Sequence, residues 1–257
     1  IAGIWIIKGS LVSSLTLETI PLTDPYVLLQ AMVAGHWPED TALLGAVLVL
    51  GFYLLVGGRV YCAWVCPVNM VTDAAHWLRR KLGLKGSGKL SNETRYWLLA
   101  AIFIVTGITG TLVWELLNPP TLIQRVLFFG GGAAWLVILA VFLFELFISD
   151  HGWCGRLCPM GAFYSLLGFR SLIKVNAAKR RNCDNCMDCF EVCPEPQVIR
   201  PALKGEAKNL NSIIESSNCT NCGRCIDVCN KEVFRFSTRF GTPDISDVPR
   251  NSKEIAS

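Results

Sequence analysis

Arg181–Arg200 reads RNCDNCMDCFEVCPEPQVIR, and Asn218–Asn230 reads NCTNCGRCIDVCN. Each stretch holds four cysteines spaced C-x2-C-x2-C-x3-C, and in the first the last cysteine is followed at once by Pro194. All twelve cysteines of the chain fall in short clusters, these two runs and two C-x3-C pairs. A secreted disulfide scaffold is normally a small chain without long apolar runs, so disulfides fit poorly. Structural zinc favours two C-x2-C pairs separated by a longer loop, which is not the spacing here.

The spacing is that of the bacterial ferredoxin run, in which three cysteines hold one [4Fe–4S] cluster and the fourth holds the other. Short spacings let successive thiolates wrap one face of a cubane, and the proline turns the chain toward the partner cluster. The expected ligand sets are therefore crossed. Cys183, Cys186, Cys189 and Cys229 form the first, and Cys193, Cys219, Cys222 and Cys225 the second. Cys229 is followed by Asn230, so the second run lacks the proline but no ligand. A small α+β domain over 175–240 is expected to carry both clusters, followed by a loose tail over 241–257.

Residues 1–174 differ in character. The chain has 257 residues, a mean hydropathy of +0.41 and 17% charged residues. Soluble domains carry about a quarter, so the deficit points to a membrane. Thr41–Gly58, Tyr96–Leu117 and Val126–Ser149 are apolar enough to be read as bilayer spans, which need about 20 residues. The opening IAGIWIIKGSLV reads as the tail of a fourth, and Ile1 as first residue leads us to expect more chain before it. The expected fold is thus four transmembrane helices in two repeated hairpins, plus the ferredoxin domain.

Basic residues set the orientation. Arg59, Arg79, Arg80, Lys81, Lys85, Lys89 and Arg95 lie in one loop, and Arg156, Arg170, Lys174, Lys179, Arg180 and Arg181 follow the last span. Ser13–Asp40 contains none. The basic loop and everything after Ser149 are expected in the cytoplasm, with Ser13–Asp40 outside. The modest net charge of +4 serves topology, and nucleic acid is not expected as a partner.

The membrane part repeats itself. ETIPLTDPYVLLQ, a span and RVYCAWVCPV are answered by ELLNPPTLIQ, a span and HGWCGRLCPM. Each C-x3-C-P follows a span at the cytoplasmic face. Cys62 and Cys66 are four apart, as are Cys154 and Cys158, so on a helix each pair shares a face. Together they are candidates for a third iron–sulfur cluster, with Arg59, His151 and Arg156 offsetting its charge. Redox-active thiol pairs, or cysteines packed as small hydrophobes, are the alternatives.

The chain resembles, over essentially its whole length, the NapH-type ferredoxin proteins, membrane subunits that serve periplasmic nitrate reductase. SSLTLETIPLTDPYVLLQ, CAWVCPVN, HGWCGRLCPMGA, CDNCMDCFEVCPEP and CTNCGRCIDVCNKEVF carry the resemblance. It implies a multi-pass protein of the bacterial inner membrane with a cytoplasmic ferredoxin domain. Its role would be an electron-transfer subunit of a quinol dehydrogenase rather than a stand-alone enzyme. The implied partners are a NapG-type periplasmic iron–sulfur subunit, in some systems a NapC-type cytochrome, and nitrate reductase downstream. NosR- and CcoG-like polyferredoxin membrane proteins share the C-x3-C-P arrangement, so another respiratory reductase or metal-cofactor assembly is the alternative destination.

Oxidising a quinol releases protons, and carboxylates at membrane depth are costly enough to point to function. The quinol-site candidates are Glu18, Asp24, His36 and Glu115 on the outer side and Glu145 near the inner end of the last span. Water or a helix terminus could equally satisfy each. A copper-handling protein would be expected to carry spare Met or Cys, and only four Met are present. A transporter would show polar or broken spans.

Overall fold

The computed structural model describes residues 7–9, 13–16, 20–84, 88, 91, 93–123, 134–205 and 211–240. Glu18, the tail over 241–257 and the first part of the expected third span lie outside the described residues.

The chain opens as an antiparallel meander of β1 (Ile7–Gly9), β2 (Ser13–Thr16) and β3 (Ile20–Thr23). Ile7 pairs with Thr16, and Ser13 with Thr23. Over residues 7–9 a strand stands where the helix tail was expected, and the rest of that run, 1–6 and 10–12, lies outside the described residues. The apolar run is short, rich in isoleucine and broken at Lys8-Gly9-Ser10, which suits a strand better than a span. Next comes α1 (Pro25–Val33), where Asp24 caps the first turn by accepting from the Tyr26 N–H at 2.8 Å and Pro25 occupies the first helical position. Both α1 and β3 lie back along α2 (Asp40–Val56).

A short α3 (Val60–Trp64) leads to α4 (Val68–Lys81). The second half begins with α5 (Thr94–Thr109), stopped by Gly110 in a left-handed conformation (φ 65°), and α6 (Val113–Leu117). The expected span Tyr96–Leu117 is therefore two helices. After Asn118 the helix α7 begins, described over 119–123. Then follow α8 (Ala134–Phe147), a π-helical turn (Trp153–Leu157) and α9 (Pro159–Gly168).

The halves interlock. Helix α4 of the first packs on α8 of the second, and α9 of the second packs on α2 of the first as well as on α5 of its own half. Where α2 ends, Gly58 meets α9 so closely that a Cβ there would strike the Tyr164 carbonyl oxygen and the backbone of Gly168. Helix α9 is core, with Met160, Ala162, Tyr164 and Ser165 all buried. An aromatic cluster of Tyr26, Tyr53, Tyr61, Tyr164 and Trp114 fills the interface.

Among the described residues no helix is long and apolar enough to cross a membrane. The three longest apolar helices, α2, α5 and α8, run for 17, 16 and 14 residues. They nevertheless expose Leu44, Val47, Phe52, Trp97, Ile104, Ile108, Leu136 and Phe147.

The ferredoxin-type unit is closed by β4 (Ile173–Asn176) paired antiparallel with β5 (Arg235–Thr238). Between them lie the short helices α10 (Asp188–Glu191), α11 (Ile199–Lys204) and α12 (Arg224–Asp227) around a core of Val175, Ile199, Ile214, Val233 and Phe234. Three contacts seat this unit on the helices. Asn221 Nδ2 donates to the carbonyls of Val56 and Ile173 at 3.0 and 2.9 Å. Arg224 pairs with Asp73 of α4, with Nη1 to Oδ1 at 2.9 Å, and Arg80 pairs with Glu191 at 3.1 Å.

Candidate metal centres

The structure gathers the twelve cysteines, all free thiols, around three cavities. Cys183, Cys186, Cys189 and Cys229 line one, together with Phe190, Leu203 and Phe234. Cys193, Cys219, Cys222 and Cys225 line the second, together with Val175, Ile199 and Ile214. Cys62, Cys66, Cys154 and Cys158 line the third, between Tyr61, Trp114, Pro119, Pro120 and Met160. These are the groupings expected from the spacing, with Cys193 and Cys229 each crossing to the other run.

Local backbone explains how two runs make two matching cups. In the first, Asn185 and Met187 are left-handed (φ 61° and 71°), and in the second Asn221 and Gly223 are (φ 50° and 79°). These are equivalent positions, before and after the second cysteine of each run. Left-handed residues reverse the chain locally, and Asn and Gly adopt that conformation most readily.

The donor sets fit clusters better than single ions. Among the described residues no three cysteine sulfurs lie mutually within 4.8 Å, whereas a zinc ion with Zn–S bonds of about 2.3 Å needs tighter grouping. Burial pushes most of the thiols up, Cys189 to about 11 and Cys193 and Cys158 to about 12. Cys62, Cys66 and Cys154 rise for the same reason, Cys62 being partly restored by Arg59. Such thiols stay protonated at neutral pH unless positive charge compensates the thiolate.

Beside the third cavity that charge is present. Arg59 and Arg95 are 2% and 1% exposed. Arg59 donates to Glu195 Oε1 at 3.1 Å, the Asn218 carbonyl at 2.8 Å and the Cys154 carbonyl at 3.0 Å. Arg95 donates to the Gly155 carbonyl at 3.1 Å and to the side chains of Ser165 and Asn218. Among the described residues no carboxylate pairs with Arg95, so two buried guanidiniums face one carboxylate. Four thiolates on a cluster would balance that excess. The same residues join cavities two and three, since Glu195 follows Cys193-Pro194 and Asn218 precedes Cys219.

Several expectations about individual residues change. Neither C-x3-C pair lies on one regular helix. Helix α3 stops before Cys66, Cys154 sits in the π turn, and Cys158 caps α9 by accepting from the Gly161 N–H at 3.4 Å. Arg156 turns away to the Gly88 carbonyl at 3.0 Å, so it does not face the cysteines. Arg59, Arg79 and Arg95, counted as topology charges, are buried and bonded; Arg79 holds the Glu145 and Leu146 carbonyls at 3.1 and 2.9 Å. Arg95, Glu195, Asn218 and Tyr164 carried no motif signal and were missed.

The quinol-site candidates separate as well. Asp24 does not lie out with His36. It is buried beside α9, with Tyr164 Oη donating to its Oδ1 at 3.0 Å. Asn118 occupies the matching place in the second half, buried before Pro119. Glu115 is half-buried in α6 and near enough to Asp24 to raise its proton affinity. His36 is exposed in the α1–α2 turn. Both carboxylate oxygens of Glu145 are taken by the backbone N–H groups of Gly152 and Trp153, at 3.0 and 2.8 Å, so it caps that turn.

Comparison with known proteins agrees with the cysteine geometry. A family described as a 4Fe-4S binding domain matches twice, over residues 41–85 and 131–176, and these stretches hold the two C-x3-C-P motifs. A 4Fe-4S dicluster domain matches residues 182–233. The ferredoxin-type protein NapH of Haemophilus influenzae is 48% identical over 238 residues, 93% of this chain and 83% of that protein. NapH of Escherichia coli is 46% identical over 240 residues, with the same coverage. The methylamine utilization ferredoxin-type protein MauN of Paracoccus denitrificans is 54% identical over 211 residues, 82% of this chain and 74% of that one. No solved structure matches.

Proposed function

The chain belongs to the NapH and MauN ferredoxin-type proteins, and from that premise we propose that it is the membrane electron-transfer subunit of a quinol dehydrogenase feeding a periplasmic nitrate reductase. The coarser statement needs no proposal: it is an iron–sulfur electron-transfer protein. One observation carries the rest. A four-cysteine cavity among the apolar helices is joined, through Arg59, Glu195 and Asn218, to the nearer of two four-cysteine cavities in the ferredoxin unit.

In this reading Cys183, Cys186, Cys189 and Cys229 hold one cluster, Cys193, Cys219, Cys222 and Cys225 a second, and Cys62, Cys66, Cys154 and Cys158 a third. Bound [4Fe–4S] clusters supply one-electron redox chemistry. Arg59 and Arg95 hold positive charge against the helical cysteines, and the aromatic cluster excludes water from them. Asp24 and Tyr164 form a buried hydrogen-bonded pair that can accept a quinol proton at the carboxylate. The exposed apolar side chains of α2, α5 and α8 support burial in lipid. Arg80, Arg156 and the ferredoxin unit sit on one side of these helices, in keeping with a cytoplasmic face under the positive-inside rule. A NapG-type periplasmic subunit, and a NapC-type cytochrome where present, would be the redox partners.

The test is anaerobic purification with iron analysis and EPR, followed by addition of a quinol. About twelve iron atoms per chain are expected, against about eight for the ferredoxin unit alone. Intact clusters that no quinol reduces, even with the partner subunits added, would sink the dehydrogenase reading. A second destination is favoured by the identity to MauN, which matches or exceeds that to NapH. Under it the same subunit serves methylamine utilization. Restoring nitrate reduction to a strain lacking its NapH distinguishes the two.

A further inference from the structure

One set of side chains near the junction of helices and ferredoxin unit lies outside the three four-cysteine cavities, although His151 also borders a small cavity between two of them, beside Cys62, Cys154 and Cys222. His76 lies on α4, and Asp150 and His151 follow the end of α8, so both halves contribute. His76 Nδ1 is 2.8 Å from Asp150 Oδ1, and His151 Nε2 is 3.9 Å from the same oxygen. The two imidazoles are 4.9 Å apart between centroids. We propose that His76, Asp150 and His151 form a binding site for one divalent transition-metal ion with zinc-like ligand preferences, separate from the iron–sulfur centres.

Four observations carry this. The three ligand atoms lie within 4.8 Å of one another, and no other three such groups among the described residues are as compact. About a tetrahedral zinc ion with bonds near 2.0 Å, ligand atoms stand roughly 3.3 Å apart, so small ring rotations suffice. His151 is 7% exposed and held with φ 48°, a backbone conformation uncommon outside glycine. That fixes its ring before any ion arrives. His76 Nε2 is buried with no hydrogen-bond partner, so a flip about its last torsion presents either nitrogen without breaking a second hydrogen bond. Finally, His76 and Asp150 line an open cleft, which gives an ion a path from solvent.

Charge is compatible with a dication. Of the cations near the site and its cleft, Arg79 is tied to the carbonyls ending α8, Arg224 to the carboxylate of Asp73 and Arg80 to Glu191, while Lys81 lies over the Trp77 ring. Imidazole nitrogens with one carboxylate suit zinc and its first-row neighbours rather than magnesium or calcium, which prefer all-oxygen sites. Three protein ligands leave a fourth position for water. The ion would pin α4 to the residues just before Cys154.

Zinc is titrated into purified, fully iron-loaded protein, followed by calorimetry and X-ray absorption at the zinc edge. The expected result is one zinc per chain with a nitrogen and oxygen shell near 2.0 Å and unchanged iron content. His76→Gln and His151→Asn, the latter tolerant of the left-handed backbone, should each weaken binding at least tenfold while iron and EPR spectra persist. Asp150→Asn should weaken it similarly. No stoichiometric zinc, a sulfur shell near 2.3 Å, or binding indifferent to all three substitutions would overturn the proposal. The wild-type absorption spectrum decides even if a variant fails to fold.

Discussion

Asp24 shows what burial does to a single carboxyl. Loss of water raises it from 3.8 to about 6, against the opposing hydrogen bonds from Tyr26 and Tyr164. A raised carboxyl favours folding in its protonated form, so its stabilisation is complete below pH ~4 and lost as pH rises through 6. The shift corresponds to about 3 kcal/mol, of which roughly 1 falls between pH 5 and 7. Asp24→Asn keeps the cap and should flatten that part of the curve, read as melting temperature in detergent at pH 5, 6 and 7. Parallel curves for variant and wild type would show that Asp24 does not titrate in this window. Arg59→Ala leaves Glu195 buried without its cation and should cost about 3–5 kcal/mol. Adding Glu195→Gln should recover part of it, and a double-mutant cycle measures how much. Cysteine ligands were legible because cluster chemistry fixes their spacing along the chain. Arg59 and Glu195 are 136 residues apart, and nothing local announces such a pair.

Elements depend on where backbones touch. Gly58→Ala puts a methyl onto backbone atoms of α9, which cannot rotate away. A loss of 1–3 kcal/mol or more is expected, seen as a lower melting temperature. Gly51, in the middle of α2, has open space around it, so Gly51→Ala should be neutral or slightly stabilising. The crossed ferredoxin runs carry a second expectation. Cys193→Ser should damage the cluster held by Cys219, Cys222 and Cys225, and loss of the EPR signal from the other cluster would refute the crossing. Hydropathy located α2, α5 and α8 because long apolar helices leave a compositional mark. It did not separate α5 from α6, since Gly110 breaks the helix without lowering hydropathy. Nor did it identify α9 as core, because burial there depends on α2 arriving from the other half and on α5 returning within its own.

At the scale of the molecule, the proposed orientation predicts an active alkaline phosphatase fused near Asp40 and an inactive one near Ser87. The reverse pattern would overturn it. The repeat was legible in the two C-x3-C-P motifs, and the matched cups were legible in the ferredoxin spacing. How the halves engage was not, because apolar patterning along the chain does not show which partner each helix meets. That engagement is reciprocal, α4 on α8 and α9 on α2. It also sets a timetable for biogenesis. When the first hairpin leaves the ribosome, α4 has no α8 to lie on and Cys62 and Cys66 face half a cavity. Iron delivered then would meet two ligands instead of four. On the proposed reading, maturation of the helical centre would wait until α9 has been synthesised, by which point translation is close to the ferredoxin cysteines, so all three proposed centres would become ready for iron almost together.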